Sequence, residues 1–322
     1  MKGVVRSVCS EPLRIGTRSS LLAQTQTQWV ANQLASKGIH VEIQVVETKG
    51  DMQRDTPITK IGGDGVFVRE LEQALLDHRI DIAVHSMKDL PTAETPGLVI
   101  PCVPQRATPY DVFVGRTKPT LQELPSGSVV GTSSIRRVVQ LKGLRKDLVI
   151  QPIRGNVDTR LKKLDSGKYD GLILAGAGLE RLDLADRITQ FLKPPLFAPA
   201  IAQGALAVQT REDDRFVRER ILPISHEATH ESVLAERACL QTLAGGCLAP
   251  IAGWGRKDSN NNVSLDAWVF EDCGEEIVSI HASGIADPST ESPRQLGERV
   301  ATSLIDKGAT SMLERIREPP NE

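Results

Sequence analysis

The chain is 322 residues long with 40% hydrophobic and 25% charged side chains, enough for about two or three domain cores and unlike a disordered or fibrous chain. Lys and Arg total 39 against 41 Asp and Glu, and the formal net charge of -2 offers no basic field to nucleic acid or to an anionic membrane. The longest uncharged stretches, 194–210 and 240–255, are broken by proline, glycine and glutamine and fall short of a bilayer span, and the N-terminus lacks the apolar run of a secretion signal. The expected location is therefore the cytoplasm, with neither a nucleic-acid nor a membrane partner.

In chain order, LRIGT at 13–17 predicts a strand leading straight into a helix over 20–37, with Leu22, Trp29, Val30 and Leu34 on one side and Gly38 as its stop. Val41, Ile43 and Val45 alternate with Glu42 and Gln44 as a strand should. After a glycine-rich loop at 62–65, a helix carries Phe67, Leu71, Ala74 and Leu75, and IDIAVHS at 80–86 reads as the next buried strand. The pattern restarts near Ser128: strand VVGT, helix from 134, strand 148–153, helix from 156, strand 171–176. Two α/β units around largely parallel sheets follow. The proline-spaced stretches 101–110 and 193–204 read as crossings between them. From 227 the order changes to a helix, strands near 248–255, 263–270 and 276–283, and a helix from 293, a smaller α+β unit.

Both α/β units open alike. Gly16, Thr17, Arg18, Ser19 and Ser20 follow the first strand, and Gly131, Thr132, Ser133 and Ser134 follow its counterpart. Hydroxyl-rich loops at helix starts bind anions through free N–H groups and the helix dipole, although plain N-capping accounts for such residues equally. The arginines favour the anion: Arg18 lies in the first loop, Arg136 and Arg137 follow the second, RGNVDTR places Arg154 and Arg160 around another strand-to-helix junction, and Arg181 follows the next strand. In open α/β sheets ligands bind beyond the carboxyl ends of strands, so these residues suit a small molecule bearing many carboxylates or phosphates. In VHSMKDLPT, Lys88 and Asp89 follow a buried strand, and a fixed anion among cations suits proton transfer or a cationic intermediate; a surface ion pair is the plainer reading.

The five cysteines, at 9, 102, 239, 247 and 273, are odd in number and show no C-x-x-C pair or zinc-spaced histidine, so reduced thiols and no metal site are expected. Cys247 stands apart because two glycines precede it in LAGGCLAPI and leave its thiol uncovered.

Taken together, RIGTRSSLLAQTQ, VHSMKDLPT, GTSSIRRVVQL, IRGNVDTRL, AQGALAV and LAGGCLAPI, in this order, resemble the hydroxymethylbilane synthase (porphobilinogen deaminase) family from about Leu13 to the C-terminal helix. The resemblance implies an α/β fold of two periplasmic-binding-protein-like (type II) domains facing a cleft, plus a small α+β C-terminal domain. It places 1–104 and 200–222 in domain 1, 105–199 in domain 2 and 223–322 in domain 3. It further implies a transferase that joins four porphobilinogen molecules head to tail with loss of ammonia and frees hydroxymethylbilane by hydrolysis. The chain would grow on a dipyrromethane cofactor bound by a thioether to Cys247. By the same resemblance Asp89 is catalytic, hydrogen-bonding pyrrole N–H groups and stabilising the azafulvenium cation. Arg18, Ser20, Lys88, Ser133, Ser134, Arg136, Arg137, Arg154, Asn156, Arg160 and Arg181, with Gln26 and Gln203, would hold cofactor and substrate carboxylates. The family leans toward a monomer.

Three positions depart from the pattern. Asp64 stands where many members have lysine in a loop over the site, Gln209 where many have an acid, and Leu248 where a polar residue is common. Asp64 is left out of the site, since an acid repels a substrate carboxylate. The rival reading is a two-lobed binding protein for a small polycarboxylate, without catalysis; it has no use for Cys247.

Overall fold

A computed structural model describes residues 11–46, 68–244, 249–274 and 276–317. Cys9, Asp64 and Cys247 lie outside these residues.

The first five-stranded sheet has β1 (Leu13–Thr17), β2 (Val41–Val45), β3 (Ile82–Ser86) and β4 (Leu98–Cys102) running parallel, with the later strand β10 (Leu206–Arg211) inserted antiparallel between β3 and β4. The second sheet repeats the plan. Its parallel strands are β6 (Val129–Gly131), β7 (Val149–Gln151), β8 (Gly171–Ala175) and β9 (Gln190–Leu192), and β5 (Asp111–Gly115) is the antiparallel insert between β8 and β9. The segment joining β4 to β5 enters the second sheet on its antiparallel strand, and the segment joining β9 to β10 enters the first sheet the same way. This is the two-lobed α/β architecture expected, and the proline-spaced stretches lie on its two crossings.

Helices cover both faces of each sheet, as mostly parallel strands require. In the first lobe α1 (Leu21–Ala35) packs Val30, Ala31 and Leu34 on Leu13, Ile15, Ile82 and Val84, and α2 (Arg69–Leu76) packs Leu71, Ala74 and Leu75 on the other face. Trp29, expected on the buried side of α1, is 37% exposed; the inward stripe runs through Gln26 and Thr27 instead. In the second lobe α3 (Ile135–Leu144) lies on one face, and α4 (Val157–Asp165) with the short α5 (Gly176–Arg181) on the other. A helix after β10, α6 (Arg215–Ile221), returns to the first lobe.

The third unit is an antiparallel meander, β11 (Ile251–Lys257), β12 (Val263–Asp272) and β13 (Ile277–Ala286), backed by α7 (Glu227–Thr242), α8 (Pro293–Asp306) and α9 (Ala309–Arg317). Its core continues into Met87, Leu90, Val103, Ile201 and Ala205 of the first lobe and return crossing, while Trp268 and Phe270 pack on Val139 of α3. Burying each of the larger aliphatic and Phe side chains among these contributes about 1.5 to 3 kcal/mol, which joins the third unit firmly to both lobes.

Candidate active site

The carboxyl ends of β1 and β3 form one wall. Ser20 accepts the Ala23 N–H at 3.3 Å, so its hydroxyl starts α1 as an N-cap. Buried Gln26 joins α1 to the end of β3, with Nε2 donating to Ser86 Oγ at 2.9 Å and Oε1 accepting from it at 3.1 Å. Beyond β3 a single 3-10 turn, Met87–Asp89, buries Met87 and leaves Lys88 and Asp89 partly exposed at the edge. Lys88 Nζ donates to Gln203 Oε1 at 3.4 Å. Burial, aided by the charges of Arg137 and Arg136 and opposed by Asp89 and Asp111, holds its ammonium down to about 8. No described side chain donates to the Asp89 carboxylate. Among the described residues it is an acceptor without a donor.

Behind this wall His85 is buried, its Nε2 3.0 Å from Gln209 Oε1. Gln209 gives its own N–H to Glu72 at 3.0 Å, so its oxygen accepts and His85 donates. Burial first, then the nearby charge of Arg18, takes the imidazole down to about 4 and keeps it neutral.

The second lobe supplies the opposite wall. Ser134 and Asn156 are the N-caps of α3 and α4, yet neither side chain makes a capping hydrogen bond. Capping therefore does not account for them. Ser133 bridges two loops instead, donating to the Ile153 carbonyl at 2.7 Å and accepting the Ile153 N–H at 3.0 Å. Gly155, at φ +105°, turns the chain between Arg154 and Asn156 where a Cβ would come within 2.7 Å of Thr159. Arg160 donates Nε to the Gly155 carbonyl at 2.8 Å and Arg181 donates to the Gly204 carbonyl at 2.7 Å. Neither pairs with a carboxylate among the described residues. Burial, joined by repulsion from Arg137 and Arg154, takes Arg160 down to about 10, and burial outweighs Glu180 to take Arg181 down to about 10. Half-buried cations with so little compensation favour an anion from outside.

Arg136 and Arg137 are both buried and share one carboxylate, that of Asp111 at the start of β5. Arg137 Nε donates to Asp111 Oδ1 at 2.9 Å, and Arg136 Nη1 lies 2.7 Å from Oδ2 and also donates to the Ala198 carbonyl. Burial alone would raise the Asp111 carboxyl, but the charges of Arg136 and Arg137, with hydrogen bonds from Arg136 and Gln203, hold it at about 2. Gln203 links the crossings: Nε2 donates to the Pro109 carbonyl at 2.8 Å and to Asp111 at 3.1 Å, and Oε1 faces Lys88 and Arg137.

Lys88, Asp89, Arg136, Arg137, Arg154 and Arg160 thus lie in one electrostatic neighbourhood, with residues from both lobes. Ser20, Gln26 and Ser133 have internal partners that shape the walls. Sequence reasoning missed Asp111, whose only signal is a charge heading the apolar strand DVFVG. It also missed Arg106 and Glu236, which carry no motif. Cys102 and Cys239 are buried, and burial pushes both thiols up to about 12. The described residues contain no cluster of three or more metal-ligating side chains and no helix long and apolar enough to cross a membrane.

Two family models match the chain, "Porphobilinogen deaminase, dipyromethane cofactor binding domain" over residues 13–219 and "Porphobilinogen deaminase, C-terminal domain" over residues 230–306. The chain belongs to the porphobilinogen deaminase family. Porphobilinogen deaminase of Geobacillus sp. (strain WCH70) is 45% identical over 310 residues, 95% of this chain and 98% of that one. Its namesake in Bacillus subtilis (strain 168) is 41% identical over 313 residues, 96% and 98% of the two chains. Among solved structures, an ABC transporter periplasmic substrate-binding protein from Coxiella burnetii is 17% identical over 70% of this chain and 96% of that one, with a TM-score of 0.41.

As a porphobilinogen deaminase the chain is a transferase of tetrapyrrole biosynthesis and carries a dipyrromethane cofactor. The residues present fit that group. Each of its pyrroles bears an acetate and a propionate, and the walls offer desolvated Lys88, Arg160 and Arg181, plus the positive excess of Arg136 and Arg137 over Asp111.

Proposed function

We propose that this transferase condenses four porphobilinogen molecules head to tail in the cleft between its lobes, releasing ammonia each time, and then hydrolyses the tetrapyrrole free as hydroxymethylbilane. The observation that carries the residue assignments is the junction itself: an Asp89 carboxylate to which no described side chain donates, beside Lys88, whose ammonium also faces Arg136 and Arg137 of the other lobe. When bound, the dipyrromethane supplies the pyrrole carbon to which the first substrate is joined. Cys247 would hold it by a thioether, and Arg18, Lys88, Ser134, Arg136, Arg137, Arg154, Asn156, Arg160 and Arg181 would hold carboxylates of cofactor and substrate. Each charge-assisted hydrogen bond contributes about 1.5 to 3 kcal/mol. Ser20, Gln26, Ser133 and Gln203 orient the loops that present them.

Asp89 accepts the pyrrole N–H of the incoming substrate. Its negative charge then sits beside the ring as the aminomethyl nitrogen departs as ammonia and the ring becomes cationic, a fixed field that needs no rearrangement during the step. The flanking cations bind the acetate and propionate arms and so hold the reacting carbon in place.

In this reading, residues 1–104 and 200–222 form the domain with the catalytic aspartate, 105–199 the carboxylate-binding domain, and 223–322 the domain carrying the anchor cysteine. Strand membership supports the division, because β4 and β10 belong to the first sheet while β5 and β9 belong to the second. The enzyme works as a cytoplasmic monomer without nucleic-acid or membrane partners.

The test is the intact mass of the purified chain beside Cys247→Ser. The wild type should be heavier than its sequence by two porphobilinogen units less two ammonias, and the variant should not. Bare sequence mass for both, with substrate supplied, would leave a polycarboxylate-binding protein.

A further inference from the structure

Asp111 is the first residue of β5, and every other residue of that strand but the terminal Gly115 is buried and apolar. A carboxylate in such a place costs several kcal/mol unless it is paired and fully hydrogen-bonded, so its presence asks for a reason. Its partners come from two elements outside the sheet: α3, through Arg136 and Arg137, and the return crossing, through Gln203. All three contacts lie where the chain passes between lobes.

The Gln203 amide shows how the carboxylate acts at a distance. Both amide N–H groups are used, one on the Pro109 carbonyl at 2.8 Å and one on Asp111 Oδ1 at 3.1 Å. That fixes which way the amide faces, and the oxygen is left for Lys88 Nζ at 3.4 Å and Arg137 Nη2 at 3.5 Å. A cation of the first lobe and a cation of the second therefore share one acceptor whose orientation Asp111 sets.

We propose that Asp111 is a positioning residue for the condensation: through Gln203 and the guanidinium of Arg137 it fixes the spacing between Lys88 and Arg137, the cations of opposite lobes that receive substrate carboxylates. This rests on the function proposed above. Three buried or half-buried cations, Lys88, Arg136 and Arg137, face a single buried anion, so the cluster keeps a positive excess for the incoming carboxylates while their geometry stays pinned. The charged groups that face Lys88 are Asp89 beside it, Asp111 on β5, and Arg136 and Arg137 on α3.

The experiment compares wild type with Asp111→Asn and with Gln203→Met, which leaves the Asp111 ion pairs in place. Two quantities are read: KM for porphobilinogen, and the pH dependence of Lys88 modification by an amine-reactive reagent, followed by peptide mass without substrate. The second is independent of turnover, so it decides the coupling even if the wild type proves inactive, and wild-type inactivity by itself would strike at the enzymatic reading. In both variants KM should rise about tenfold or more, a tenfold change being about 1.4 kcal/mol. The modification profile of Lys88 should move to lower pH, by about 1 unit in Asp111→Asn, because a neighbouring negative charge is gone. If Asp111→Asn does not fold, Gln203→Met decides the matter alone. A variant with a lowered melting point but with either quantity unchanged would mean that Asp111 serves folding alone, and the proposal would fall.

Discussion

Arg106 and Glu236 form a bidentate ion pair inside the molecule, Nη1 to Oε1 at 2.6 Å and Nη2 to Oε2 at 3.2 Å, with Glu236 fully buried on α7. Arg106 belongs to the first crossing and also donates Nε to the Gln203 carbonyl of the return crossing at 2.7 Å. Glu236 receives the Ala202 N–H of the return crossing and, at 2.7 Å, the Gly255 N–H of β11. One carboxylate thus gathers both crossings and the third sheet, and the cleft residues carried by those crossings inherit their positions from it.

Replacing Arg106 by Ala strands that carboxylate without its counter-ion. Breaking a buried pair from one side costs about 3 to 5 kcal/mol, far more than the pair itself is worth against an apolar substitute. Arg106→Ala should lower the unfolding free energy obtained from urea melts by that amount, and the loss should exceed that of the double variant Arg106→Met with Glu236→Leu. Equal losses would show that the pair carries no special weight.

His85 gives the fold an acid limit. Its ordinary value is 6.5 and its folded value about 4, so the unfolded chain takes up the proton first as pH falls. The stabilisation is complete above pH 6.5, declines between 6.5 and 4, and is gone below about 4. At about 1.36 kcal/mol per unit, the full loss is on the order of 3 kcal/mol. His85→Gln should flatten the stability curve between pH 6.5 and 4 relative to wild type. The carboxylates of Asp81 and Asp111, held at about 2, titrate below this window and do not confuse it. Parallel curves for the two proteins across the window would refute the assignment.

Much of this arrangement is legible in the sequence, and the exceptions have a common physical cause. LRIGT gives β1 residue for residue, and the hydroxyl-rich openings sit at strand-to-helix edges, because local alternation and caps govern both. DVFVG and LAVQTR escape a sequence reading, although both are central strands in their sheets. They lie next to the crossings, and nothing local says that each inserts antiparallel into the sheet beyond. The same insertion hides the partner of Arg136 and Arg137. Asp111 is far from them along the chain, and only the antiparallel placement of β5 beside β8 brings it under α3. The arginines whose spacing points to a ligand therefore divide themselves between an internal carboxylate and the cleft.

In the proposed mechanism Asp89 bears the chemical step, and its isosteric replacement separates chemistry from binding. Asp89→Asn keeps the shape of the turn after β3 but removes the charge beside the forming cation. A deleted electrostatic stabiliser of this kind costs about 2.7 to 4 kcal/mol, or roughly 10²- to 10³-fold in kcat. KM for porphobilinogen should change much less, because the proposal assigns the carboxylate arms to other residues. The cofactor mass should remain if an active enzyme or preformed product supplies the dipyrromethane. Turnover within a few fold of wild type would remove Asp89 from the mechanism.

Arg160 offers a prediction whose sign depends on the cofactor. Without an anion in the cleft its guanidinium is a desolvated cation, held down to about 10 chiefly by burial and then by Arg137 and Arg154. For such a group the folded state binds its proton less readily than the unfolded chain, so the charge weakens the fold at neutral pH and its removal relieves that cost. The lost Nε bond to the Gly155 carbonyl offsets part of the gain. In the Cys247→Ser background, which on the proposed attachment lacks the cofactor, Arg160→Met should raise stability by on the order of 1 kcal/mol. In the loaded enzyme the cofactor carboxylate proposed to bind there would stabilise the folded state, and the same substitution should lower stability instead. Urea melts of the four proteins give the cycle directly. A substitution effect of the same sign and size in both backgrounds would show that Arg160 does not meet the cofactor at all.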